Sequence, residues 1–92
     1  MPTIGSFYSK TVTATADGIF QVEDEHVVLK STNIHCYTND AYIGNTYLQP
    51  GIIRANAVIW FEGDVDVSDI WFKNLTAGAN TTIVIEGILR KG

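Results

Sequence analysis

A chain of 92 residues makes one domain and buries only about 60–65% of the surface its unfolded form exposes. Charged residues are 17% of it and apolar residues 46%, and the formal net charge is −4, so an electropositive nucleic-acid groove is not expected. The single cysteine, Cys36, excludes an internal disulfide, Met1 to Ser6 lacks the basic start and apolar run of a secretory signal, and the apolar stretch from Ala57 to Phe61 is too short to span a bilayer.

Ile (11), Val (8) and Thr (10) outnumber Leu (4), and no window carries a sustained helical repeat of apolar positions. That composition predicts strands throughout. In chain order, residues 1–6 read as an extended arm and 7–92 as one β-sandwich domain. Residues 6–14 alternate as a first strand, with Phe7 and Tyr8 on opposite faces. Asp17-Gly18 is a turn, 19–22 a short strand, and Glu23-Asp24-Glu25 a solvated acidic turn. Residues 26–30 and 34–38 read as two strands, followed by a turn at Asn39-Asp40 and strands at 41–43 and 46–48. After Gln49-Pro50-Gly51, residues 52–56 and 57–62 read as one long strand with a bend. Gly63-Asp64 breaks it. Residues 65–67 and 69–73 follow, then a turn at 77–80 and a final strand at 81–89. There Ile83, Ile85, Gly87 and Leu89 share one face. About eight short antiparallel strands with turns every 8–12 residues predict a small all-β sandwich, jelly-roll-like.

An aromatic doublet occurs twice, as Ile59-Trp60-Phe61 and Ile70-Trp71-Phe72. Strand alternation sends one ring of each doublet to either face of its sheet. A turn near Val65-Asp66 would pair the two segments as a hairpin, with Trp60 opposite Trp71 and Phe61 opposite Ile70. A small domain covers one sheet face with its own core and leaves the other for a partner. Phe7, Tyr8, Trp60, Phe61, Trp71 and Phe72 are therefore the candidate interface residues, and a homo-oligomer is expected.

Residues suited to chemistry are sparse. His26 and His35 lie nine residues apart without a clustered companion, so a cupin-like metal centre is not expected. Cys36 sits between apolar neighbours and reads as a buried, inert thiol. Glu62, Asp64, Asp66 and Asp69 would offer calcium oxygens, but a solvated loop protecting a sheet edge is the plainer reading. The sequons at Asn74 and Asn80 read as turns. No catalytic residue, cofactor site or metal site is assigned, and the chain is read as a non-enzyme.

From Val27 onward, the order of features is familiar. Asn33 to Asn45 (NIHCYTNDAYIGN) is followed by Leu48-Gln49-Pro50-Gly51 and then by Val67 to Gly87 (VSDIWFKNLTAGANTTIVIEG). This order resembles small β-sandwich accessory virion proteins of tailed bacteriophages. The resemblance implies a structural protein made in the host bacterial cytoplasm and carried on the virion. It would cement or decorate the capsid as a homo-oligomer, a trimer favoured. Its partners would be the major capsid protein or another virion protein, with no nucleic acid and no membrane. The alternative is a carbohydrate- or receptor-binding module of a tail or neck structure. Its sign would be one aromatic ring open in a groove lined by Asn or Asp.

Overall fold

The computed structural model describes residues 7–14, 18–76 and 78–89, so the expected arm at 1–6 lies outside the described residues. Among the described residues eight strands form: β1 (Phe7–Ala14), β2 (Val28–Tyr37), β3 (Ala41–Gly44), β4 (Gly51–Ile53), β5 (Val58–Phe61), β6 (Val65–Asp66), β7 (Trp71–Asn74) and β8 (Thr81–Leu89). One 3-10 turn, Val67–Asp69, joins β6 to β7. The larger sheet runs β1-β8-β2-β5, with β6 also on β2, and the smaller runs β4-β3-β7. All pairings are antiparallel.

Phe20 forms a single bridge to Phe72, with backbone hydrogen bonds of 2.8 Å in both directions. The segment expected as a strand at 19–22 is thus reduced to one rung on the outer side of β7. With that rung included, the Phe20 segment, β7, β3 and β4 face β1, β8, β2 and β5. The chain alternates between the two layers in the manner of a jelly roll.

Alternation fills the space between the layers. Leu29, Ile34 and Cys36 of β2 and Ile83 and Ile85 of β8 meet Ala41, Ile53 and Phe72 from the smaller sheet. Val22, Val67 and Ile70 seal the ends from the connections. Each such fully buried aliphatic side chain contributes roughly 1.5–3 kcal/mol.

Several sequence expectations need correction. The two doublets do not form a hairpin. Trp60 pairs with Asn33 and Phe61 with Thr32 on β2, whereas Trp71 pairs with Gly44 and Phe72 with Ile43 on β3. The cause is the turn at Arg54-Ala55-Asn56-Ala57, where Asn56 takes a φ of 67° and Ala57 N–H bonds to the Arg54 carbonyl at 3.0 Å. Asp40 clamps this turn, accepting from Ala55 N–H at 2.7 Å and from Arg54 at 2.9 Å. Hence 52–62 is no single bent strand: β4 lies in one sheet and β5 in the other. Residues 46–48 are loop because the Asn45 side chain accepts from Tyr47 and Leu48 N–H at 2.8 and 2.9 Å.

The break expected between 30 and 34 is a bulge inside one continuous strand. The register of β2 on β8 shifts between Leu29 and Thr32, and Ser31 takes a φ of 48°. Beyond it, Thr32 is fully buried, and its hydroxyl has no hydrogen-bond partner among the described residues. An orphaned buried hydroxyl costs about 1–3 kcal/mol. Thr32→Val keeps the shape and removes the polar atom, so urea unfolding should show stability equal to or above wild type, by up to about 1 kcal/mol.

Candidate functional site

The six candidate interface residues separate into different roles. Phe72 is fully buried and stacks on Phe20 with ring centroids 5.6 Å apart, so it is a core residue. Tyr8 shares the inward register of β1, opposite Gly87, and its hydroxyl donates to Glu23 at 2.9 Å. Trp71 is half-buried on the smaller sheet, away from Trp60 in the strand order. Phe7, Trp60 and Phe61 remain on the surface, at 65%, 73% and 37% exposure. The doublets do split their rings between faces, but each uses its second ring differently.

The three exposed rings belong to one place. The outward positions of the larger sheet form rows across the strands: Phe7 opposite Ile88, then Ser9, Glu86, Asn33 and Trp60, then Thr11, Val84, His35 and Val58. Across the first two of these rows runs an open groove of about 320 Å³. Phe7 and Ile88 line it on the β1 side, and Trp60, Phe61 and Glu62 on the β5 side. Ser31, Asn33 and Gly87 line it between them. The bulge of β2 is therefore part of the groove. Gly87 has to be glycine there, because a Cβ would sit 2.7 Å from the Ser31 carbonyl oxygen. A non-glycine residue at positive φ stores strain that the surroundings must hold in place.

The polar groups of the groove differ from those around it. Ser31, Asn33 and Glu62 make no side-chain hydrogen bond or ion pair among the described residues. Glu86, directly beside Asn33 in the Trp60 row, is occupied: Ser9 donates to it at 3.5 Å, and His35 Nε2 lies 3.2 Å from its other oxygen. His35 also stacks on Tyr37 with centroids 6.0 Å apart. The Thr13 and Thr82 hydroxyls bond each other at 3.0 Å. Free donors and acceptors thus lie beside the exposed rings.

The remaining reactive side chains are structural. Burial, and then the field of Asp40, pushes the Cys36 thiol up to about 11, and its sulfur donates to the Asn39 carbonyl at 3.0 Å. Glu23, expected in a solvated turn, is buried. Burial works to raise its pKa, but the Tyr8 hydroxyl, the Glu25 N–H and Lys10 outweigh this and hold it below the usual carboxylate value. Among the described residues no three His, Cys, Asp or Glu side chains are grouped to hold a metal, and His26 and His35 have separate partners.

His26, Asp66 and Ser68 share the residue types of a nucleophilic triad but not its geometry. His26 Nδ1 lies 2.8 Å from Asp66 and 3.2 Å from Ser68 Oγ, while Ser68 donates to Asp66 at 2.7 Å. Serine and carboxylate thus meet the same ring nitrogen, whereas a triad needs them on opposite nitrogens. The cluster is a clasp instead. It joins the approach to β2 to the 3-10 turn, which Asp66 caps by accepting from Ser68 N–H at 3.0 Å.

The clasp makes a pH prediction. The hydrogen bond to Asp66, then its charge, raises the His26 pKa above the ordinary 6.5. A raised folded-state pKa stabilises the fold fully below the unfolded value and ceases to do so as pH rises through the folded value. Stability should therefore fall modestly above pH 6.5. Asp66→Asn should lower the His26 imidazole midpoint toward its ordinary value in an NMR titration. A wild-type midpoint at or below that value would contradict the clasp.

Sequence reasoning singled out Phe7, Trp60 and Phe61, read Glu62 as part of a solvated acidic loop, and missed Ser31 and Asn33. The usable signal was the strand break at 31–33, where polar residues interrupt an otherwise apolar strand.

No family model matches the chain, and no curated protein matches it in sequence. Among solved structures, the crystal structure of ToxT from Vibrio cholerae O395 bound to (E)-4-(8-methylnaphthalen-1-yl)but-3-enoic acid is similar, with a TM-score of 0.61 and 10% identity over 90% of this chain. This chain spans 30% of the length of that one. A likeness at such low identity shows the fold alone.

Proposed function

We propose that the chain is a non-enzymatic attachment module of a phage particle, and that its working surface is the groove beside Trp60. The observation that carries this reading is Trp60 itself, 73% exposed in a groove with unspent polar groups. A large ring left in water beside free hydrogen-bonding groups has no role in the fold and suits a ligand. The phage setting rests on the resemblance in the order of turns from Tyr42-Ile43-Gly44 to the final strand. The small size of the groove favours a compact receptor site over a broad adhesive face.

The test is Trp60→Ala. Stability should change by no more than about 0.5 kcal/mol, because the ring is mostly exposed. Particles carrying the variant should lose adsorption to their host by tenfold or more. Unchanged adsorption would remove the groove from attachment.

A second reading keeps the capsid-cement role, with a homo-oligomer, a trimer favoured, bound to the major capsid protein or another virion protein. It has its own observation. Tyr47 and Leu48 stand 91% and 65% exposed on the β3–β4 connection. Asn45 holds that loop through both amides named above and by its own N–H to the Leu48 carbonyl at 2.9 Å. A rigid apolar tip suits insertion into a neighbour. Stripped shells that regain heat resistance with wild-type protein, but not with Tyr47→Ser, would favour this role.

A further inference from the structure

We infer that the Trp60 groove binds a neutral carbohydrate, one or two pyranose rings of a surface glycan. This names the ligand class of the attachment reading and rests on it for the biological setting only.

Four observations lead here. The first is the ring. Trp60 projects from an edge strand with most of its surface in water, opposite Phe7 across the groove. A pyranose has one flat, C–H-bearing face that is apolar and stacks on such a ring, whereas its edge carries hydroxyls. The second is the placement of polar groups. Ser31 and Asn33 each offer both a donor and an acceptor, and Glu62 offers two acceptor oxygens. Sugar hydroxyls both donate and accept, so a mixed set placed beside a stacking ring matches them. An apolar ligand would leave these groups desolvated and unpaired, which is costly.

The third observation is size. The volume of about 320 Å³ lies at the small end of ligand sites and is open to the surface, which suits one or two sugar rings within a longer chain. The fourth is charge. Glu62 lines the groove, Glu86 stands beside Asn33 in the Trp60 row, and the whole chain carries −4. Among the described residues no basic side chain lines the groove. Acidic sugars and phosphates would be repelled, so the ligand is neutral. The site is also preorganised: the Ser31 bulge is fixed by its close packing over Gly87, and Asn33 is held in β-register between Trp60 and Glu86.

The experiment uses the full chain labelled with nitrogen-15 and follows the two Trp indole N–H signals by NMR. The probes are soluble oligosaccharides of glucose, galactose, mannose, rhamnose and N-acetylglucosamine, with oligosialic acid as the anionic control. At least one neutral probe should shift the Trp60 indole saturably, at a Kd between about 10 μM and 10 mM, and leave Trp71 in place. Trp60→Ala should weaken that binding tenfold or more, Asn33→Ala severalfold, and Trp60→Phe less than Trp60→Ala. Oligosialic acid should not shift Trp60.

The inference is overturned if no neutral probe shifts Trp60 at about 10 mM, or if Trp60→Ala binds as wild type does. Tighter binding of oligosialic acid than of every neutral probe would also overturn it. Its failure is distinct from failure of the attachment reading. Glycan binding with normal host adsorption by the Trp60→Ala particle would sink the attachment role and leave this inference standing. Lost adsorption without glycan binding would do the reverse.

Discussion

Phe72→Ala should destabilise the protein by about 3–5 kcal/mol, the usual result of truncating a fully buried phenylalanine. Phe72 has no exposed surface, bridges Phe20 through both backbone hydrogen bonds, and stacks on the Phe20 ring at the layer where the two sheets meet. A domain of this size has roughly 5–15 kcal/mol in total, so the loss is a large share of it. The thermal midpoint should fall by roughly 4–8 °C per kcal/mol. An interface role would give another outcome: association lost, with the unfolding midpoint of the monomer unchanged. Should the alanine variant fail to fold, Phe72→Leu gives a graded version, with a smaller loss that does not depend on protein concentration. A Phe72 variant as stable as wild type would show that the ring lies outside the core.

The same residue shows how far the sequence could be read. Alternation within a strand was legible, because it is local: the inward set Ile83, Ile85 and Gly87 of β8 and the opposite facing of Trp60 and Phe61 both follow from the period of two. The turn signals located nearly every strand and so the class of fold. Partnering was not legible. Neighbouring strands pair in most folds, which is why a hairpin between the doublets looked natural. In a jelly roll, successive strands cross between layers, and the crossing is made here by Asp40 holding the Asn56 turn from fourteen to fifteen residues away. No local pattern announces that contact. Phe72 is therefore core and not interface, although alternation does place it on the face opposite Trp71.

The groove was half legible for a related reason. Large aromatic residues are visible in any sequence, and three of the six nominated reach the surface together. Ser31 and Asn33 were visible only as an interruption, since a bulge and a strand end share the same polar residues. What makes the interruption part of the groove is the register of β2 on β8, which brings Gly87 under it. A positive φ at a serine and a glycine in the middle of the most regular strand are two local oddities with one cause: the backbone of β2 presses onto β8 at that point.

Gly87→Ala should expose that cause directly. The added Cβ would meet the Ser31 carbonyl oxygen at 2.7 Å and Leu29 side-chain atoms at 3.0 and 3.3 Å. The first contact is with backbone in a paired strand and cannot be relieved by a rotamer change. Gly87 is also fully enclosed between Tyr8 of β1 and Thr32 of β2 in the sheet register, so β8 cannot move aside without disturbing both neighbours. Alanine normally gains a little over glycine in a strand by lowering the entropy of the unfolded chain, by about 0.4–1 kcal/mol where the site accepts it. Overpacking here opposes that with about 1–3 kcal/mol. We therefore expect a net loss of stability together with displacement of Ser31. The displacement is the more telling part, because it should reach the groove: the amide signals of Ser31 and Asn33 and the indole signal of Trp60 should all shift, while Trp71 on the other sheet stays in place. Alanine at 87 with wild-type stability and an unmoved Trp60 signal would mean that the bulge does not rest on this glycine.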